Sequence, residues 1–194
     1  MRNNFQILID VFQAETQGLN LGFFINVSIL IAILLFIPAF FINRRKKIST
    51  VKLLQFYLFL VYSWFVLNIT ILRRPIGSRE SIVHLFINLG FGLRTGNPSF
   101  RVSAYSIYNI ILFIPIGILA YLAFRNKMCF KSIAITTLIG VCYSLLIETT
   151  QLITGTGMFE LTDILTNTTG SFIGAVLCAL FIKLSGNKID TEQK

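Results

Sequence analysis

Leu21–Ile42, LGFFINVSILIAILLFIPAFFI, runs without a single charged side chain and is closed, after Asn43, by Arg44-Arg45-Lys46-Lys47. A helix needs about 20 apolar residues, at about 1.5 Å each, to cross a hydrocarbon core of about 30 Å. The run is long enough to span and too long for the h-region of a signal peptide. No small-residue cleavage pattern follows it, so it reads as an uncleaved first span.

The rest of the chain repeats the pattern. Of the 194 residues 55% are hydrophobic and only 13% are charged, with a mean hydropathy of +0.76. A soluble domain carries about twice that charge fraction. Further apolar blocks at about 53–72, 105–124, 132–153 and 163–184 give an expected total of five spans. The fold class is therefore an all-α integral membrane protein. Residues 1–20 are expected to form an amphipathic interfacial segment, because Phe5, Leu8, Phe12 and Glu15 recur at helical spacing among Asn, Gln and Asp. Residues 21–184 form a single transmembrane domain in this reading, and 185–194 a polar cytoplasmic tail.

The formal charge of +9 does not point to nucleic acid, because the basic residues sit at the ends of apolar blocks rather than along one soluble face. They set orientation instead. With the N-terminus outside and the C-terminus cytoplasmic, the inner side receives Arg44, Arg45, Lys46, Lys47, Lys52, Arg125, Lys127, Lys131, Lys183, Lys188 and Lys194. All the lysines then lie inside, and the outer cations are exclusively arginine. The long connection 73–104 carries Arg73, Arg74, Arg79, Arg94 and Arg101. Within it, Ser81–Leu93 is apolar but too short to span, and reads as re-entrant or interfacial.

A charge at the centre of a spanning helix costs about 2.5 to 3.5 kcal/mol on insertion scales, so polar groups inside spans are functional candidates. Here they cluster. Ser144, Glu148 and Gln151 share one face of the fourth span, Asp163 and Asn167 begin one face of the fifth, and Asn109 lies one turn inside the third. In the expected topology Asn109, Glu148, Gln151, Asp163 and Asn167 reach the same depth in the outer leaflet, beneath the arginine loop. The short link Thr154–Thr162 makes spans four and five antiparallel neighbours and brings Glu148 towards Asp163. Arginine forks suit bidentate recognition of phosphate or carboxylate.

Each candidate has a plainer alternative. Glu148 is either a carboxylate paired with an arginine for structure or a group for ligand contact or proton handling. Asp163 is either that kind of group or a helix N-terminal charge favoured by the macrodipole. Gln151 and Asn167 suit interhelical hydrogen bonds, and the arginines suit nonspecific contact with lipid phosphates. Gly170 and Gly174 form a small-xxx-small packing face, Pro115 with Gly117 reads as a kink, and all four are assigned to helix packing. His84 stands alone as a hydrogen-bonded interfacial histidine, and Trp64 as a packing or interface anchor. Cys129, Cys142 and Cys178 lack metal or disulfide spacing. No metal, cofactor or catalytic residue is expected, and glycosylation at Asn26, Asn68 or Asn167 is discounted because all three fall inside spans.

Asn109-Ile-Ile-Leu-Phe-Ile-Pro115-Ile-Gly117, Glu148-Thr-Thr-Gln151 and Phe159-Glu160-Leu161-Thr162-Asp163-Ile-Leu-Thr-Asn167-Thr-Thr-Gly170-Ser-Phe-Ile-Gly174 closely resemble the motifs of the VanZ-like family. Thr70-Ile-Leu-Arg73-Arg74-Pro75 and Arg79 resemble its connecting loop more weakly. The similarity covers about residues 60–184. Many relatives carry Arg where Thr156 stands and Asp where Glu160 and Thr162 stand, so the local ion pairing differs here. The protein that gives the family its name is associated with reduced susceptibility to the glycopeptide teicoplanin in Gram-positive bacteria. The resemblance thus implies a multi-pass protein of the bacterial plasma membrane concerned with the cell envelope. The expected partners are membrane lipids and an anionic amphiphile, either a lipid-linked wall precursor or a glycopeptide, with no nucleic acid. A membrane enzyme acting on a polyprenyl phosphate and a proton-coupled carrier are the alternatives.

Overall fold

The computed structural model describes residues 4–43, 49–89, 100–125 and 129–192, with side chains left aside at 43, 100, 101 and 186–192. In chain order it contains α1 (Asn4–Thr16), α2 (Leu21–Asn43), α3 (Thr50–Leu67), β1 (Val83–His84), α4 (Phe100–Phe124), α5 (Cys129–Thr154), β2 (Phe159–Glu160) and α6 (Leu161–Glu192). Helices α2 to α6 are each long and apolar enough to cross a membrane. Helix α6 continues past its apolar part, which ends at Ser185, through the polar residues expected to form a tail.

The bundle is organised on α4, which packs most extensively on α6 and also contacts α3 and α5. Small residues set the closeness of the α4–α6 contact. A Cβ placed on Gly170 would lie 2.3 Å from the Ile110 carbonyl oxygen, one on Gly174 2.1 Å from that of Ile114, and one on Gly117 2.1 Å from that of Ser171. Backbone therefore meets backbone along this seam, the geometry that drives helix association where lipid competes for every apolar contact. Gly117, assigned to helix packing as well as to a kink, is a packing residue of the seam. Gly140 of α5 completes the set, since its Cβ would fall 2.3 Å from Ser171 Oγ.

Around the seam, Val66, Ile71, Phe113, Ile116 and Ile147 form one apolar cluster, and Tyr121, Ala175, Cys178 and Ala179 another. Two half-buried phenols are anchored to carbonyls: Tyr62 donates to Leu112 O at 3.0 Å and Tyr143 donates to Ser63 O. Helix α2 is peripheral. It meets α3 through Phe23–Trp64, Phe24–Phe65 and Phe36–Tyr57 ring contacts and exposes Ile29, Leu30, Ile33, Leu34 and Ile37. Such a face is stable only against hydrocarbon.

Two departures from regular helix prepare one end of the bundle. Helix α3 finishes in a widened turn, Asn68–Leu72, in which the Arg73 N–H reaches back five residues to Asn68 O at 3.1 Å. Widened turns of this kind recur at functional sites because they displace carbonyls from the helical ladder. Helix α5 ends at Gly155, whose φ of +62° suits glycine, and the Thr156 N–H closes the turn on Gln151 O at 3.1 Å.

Candidate functional site

The segment after α3 is drawn across the α5–α6 link by main-chain hydrogen bonds. Gly77 N–H donates to Thr154 O at 2.9 Å, Arg79 N–H to Gly155 O at 2.8 Å and Phe159 N–H to Ile82 O at 2.9 Å. Beyond them β1 and β2 pair in parallel, with Val83 opposite Phe159 and His84 opposite Glu160. The Asn88 N–H then bonds Thr162 Oγ1 at 2.9 Å. Residues 81–89 thus form an extended strap. It turns Leu85, Phe86 and Ile87 outward, at 69%, 61% and 55% exposure. The rest of the segment read as re-entrant or interfacial, from Gly90 to Leu93, lies outside the described residues.

Beneath the strap lies a cavity of about 390 Å³. Helix α4 contributes Ser106 and Asn109, α5 contributes Glu148 and Gln151, and α6 contributes Asp163 and Asn167. Arg74 and Arg79 line it from the strap side, and Phe12 and Glu15 from α1. All five residues of the sequence-level polar cluster therefore surround one space. Of the five loop arginines, Arg74 and Arg79 reach the lining. Arg94 lies outside the described residues, and Arg101 does so as regards its side chain.

Hydrogen bonds fix the cluster. Glu148 is 2% exposed, and its Oε2 accepts from the Glu160 N–H at 2.9 Å. The Asp163 carboxylate, in the first turn of α6, lies beside the Asn109 side chain. Asn167 Nδ2 donates to Ser144 Oγ at 2.9 Å, and Gln151 Nε2 donates to the Thr70 carbonyl freed in the widened turn, also at 2.9 Å. Gln151 and Asn167 thus make interhelical bonds as well as lining the cavity. Glu148 and Asp163 are close enough to act on each other electrostatically, and Arg74 acts on both.

Glu15 is the residue that sequence reasoning placed on a helix face without assigning it a role. Its carboxylate pairs with Arg73 and, at 3.2 Å, with Arg74. Arg73 also donates to Ala14 O at 2.8 Å, which ties down the C-terminal turn of α1. Tyr108 OH donates to Leu8 O at 2.8 Å, so α4 holds the middle of the same helix. Arg74 donates to Thr156 O at 3.1 Å. Its burial pushes the guanidinium below its usual pKa, and Glu15 beside it opposes that shift. The one available signal for this pairing was an acid at the apolar spacing of Phe5, Leu8 and Phe12.

His84 Nδ1 stands 3.6 Å from Glu160 Oε1, and its ring lies beside Phe86. Cys129, Cys142 and Cys178 are free thiols, and Tyr121 OH contacts Cys129 Sγ at 3.7 Å. Among the described residues, no three His, Cys, Asp or Glu side chains are grouped as metal ligands.

Five helices able to span a membrane, a glycine seam and a cavity lined by a polar cluster define a multi-pass α-helical membrane protein with a candidate site at one end of its bundle. The chain belongs to the VanZ/LLP1 family, whose family model matches residues 23–182. The match is wider than the motif-bearing stretch 60–184 and leaves α1, with Glu15, outside it. Neither a curated protein nor a solved structure matches the chain.

Proposed function

We propose that this protein binds an anionic amphiphile in the cavity between α4, α5 and α6, acts without catalysing a reaction, and lowers susceptibility to glycopeptides such as teicoplanin from the plasma membrane of a Gram-positive bacterium. The N-terminus and the cavity face outward in this reading. The observation that carries it is the union in one space of about 390 Å³ of two guanidinium groups, Arg74 and Arg79, with the Asn109, Glu148 and Asp163 side chains. Guanidinium forks complement a phosphate or carboxylate. Carboxylates and amides complement the hydroxyls and amides of a saccharide or peptide headgroup. A lipid-linked wall precursor carries both kinds of group on a hydrocarbon chain, and the exposed apolar strap and lipid-facing helices offer that chain a place beside the cavity.

Expression in a susceptible Gram-positive host tests the reading. The inhibitory concentration of teicoplanin should rise. Glu148→Gln, Asp163→Asn or Arg79→Gln, each still inserted at the wild-type level, should return it to that of the host. An unchanged inhibitory concentration for every glycopeptide tried, together with no binding of a polyprenyl phosphate by the purified protein, would refute the reading.

A further inference from the structure

The charges around the cavity do not balance, and their arrangement is informative. Glu15 is engaged by Arg73 and Arg74 at the α1 side. The floor, formed by α4, α5 and α6, holds Glu148 and Asp163 with Asn109 and Asn167. Among the described residues, the hydrogen bond that reaches these two carboxylates comes from the Glu160 N–H to Glu148, and the Asn109 side chain lies beside Asp163. Asn167 is 4% exposed and lines the cavity, and its Oδ1 is a buried acceptor with no hydrogen-bond partner in the protein. The floor is therefore rich in acceptors and short of donors, whereas the rest of the lining, its rim, carries Arg74 and Arg79 beside Glu15 and Glu160.

From this juxtaposition we infer that the floor of the cavity, Glu148, Asp163 and Asn167 Oδ1, is a subsite for an ammonium group, separate from the anion-binding rim. A primary ammonium brings three donors and one positive charge. Those donors meet two carboxylates and an amide oxygen, and the charge offsets carboxylates held away from water. The inference deepens the amphiphile reading: if the rim holds the ligand's anionic group, the ligand is zwitterionic, with its cationic end deepest. The ammonium subsite itself does not depend on the rim.

The test uses the full chain in nanodiscs of neutral lipid and three probes with one short chain: hexylammonium, 1-hexanol and hexyl phosphate, each titrated calorimetrically. Charge-assisted hydrogen bonds lead us to expect hexylammonium to bind about tenfold or more tighter than 1-hexanol. The preference should disappear in Glu148→Gln and in Asp163→Asn. Hexyl phosphate binding that is retained in both variants and lost in Arg79→Gln would show that they are folded and that the rim works independently. Equal affinity for the ammonium and the alcohol in the unaltered protein would overturn the inference, whatever the variants do. So would an ammonium preference that survives both floor substitutions. Failure of hexyl phosphate to bind, with the ammonium preference intact, would sink the anionic-rim reading and leave the floor subsite standing.

Discussion

The same two helices, α4 and α6, meet in two different ways within a few turns of each other. Along Ile110–Ile118 and Gly170–Gly174 they touch backbone to backbone, with no room for even a methyl group. Towards the strap, where Ser106 and Asn109 face Asp163 and Asn167, the space between the helices and α5 opens into the cavity. The difference lies in side-chain size and polarity. Glycine lets the helices close, and dispersion over the closed seam replaces the hydrophobic drive that lipid does not supply. Asn, Asp and Glu stand where the helices part, held in place by bonds to Ser144 and to the Glu160 main chain, with the Asn167 Oδ1 acceptor left unpartnered. The closed seam thus fixes the two helices against each other, and the open end carries groups that would otherwise be costly in hydrocarbon.

Substitution at the seam should have the largest effect. Gly174→Ala directs a methyl group at the Ile114 carbonyl, a backbone atom that cannot rotate away. We expect destabilisation of about 3 kcal/mol, the upper end of overpacking costs, read as reduced resistance to denaturant in detergent. An Ala variant as stable as the parent would show that the two helices are free to separate there.

Next comes the latch on the open end. Glu15→Gln leaves Arg73 and Arg74 without their carboxylate, and buried charged groups that lose a partner cost about 1 to 3 kcal/mol. Hydrogen exchange should rise along α1 and stay unchanged at the seam. The bond from Gln151 to the Thr70 carbonyl should count for less. Gln151→Leu should cost about 1 kcal/mol in thermal or denaturant unfolding and loosen the widened turn at Asn68–Leu72. Smallest of all is Leu34→Ala on the exposed face of α2, expected within about 0.5 kcal/mol of the parent. A large loss there would mean that another protein surface covers that face.

The spans were readable from the sequence because membrane crossing demands long apolar runs, and Leu21–Ile42 admits no other reading. The grouping of Asn109, Glu148, Gln151, Asp163 and Asn167 was readable for a related reason. Polar residues are scarce in spans, helical spacing fixes their faces, and the short α5–α6 link fixes which helices are neighbours. The seam was largely readable: Gly170 and Gly174 stand four apart and Gly117 follows Pro115, whereas the role of Gly140 depends on where Ser171 falls on the neighbouring helix.

Features built from contacts distant in sequence were not readable. The pairing of Val83 and His84 with Phe159 and Glu160 involves two residues a side, too few to impose an alternating pattern. The Glu15 pairing with Arg73 and Arg74 joins a helix preceding the first span to a segment following the second. The widened turn at Asn68–Leu72 has no proline or glycine to announce it.

Photolabelling tests the central claim most directly, because it asks which of the molecule's surfaces an amphiphile occupies. The protein in nanodiscs would be irradiated with a diazirine-bearing polyprenyl phosphate, and the adducts mapped by mass spectrometry. The account predicts adducts concentrated on the cavity-lining parts of α4, α5 and α6, around Ser106–Phe113, Ile147–Gln151 and Thr162–Asn167, and their suppression by Arg79→Gln. Adducts spread instead over the exposed face of α2, and indifferent to Arg79→Gln, would contradict it.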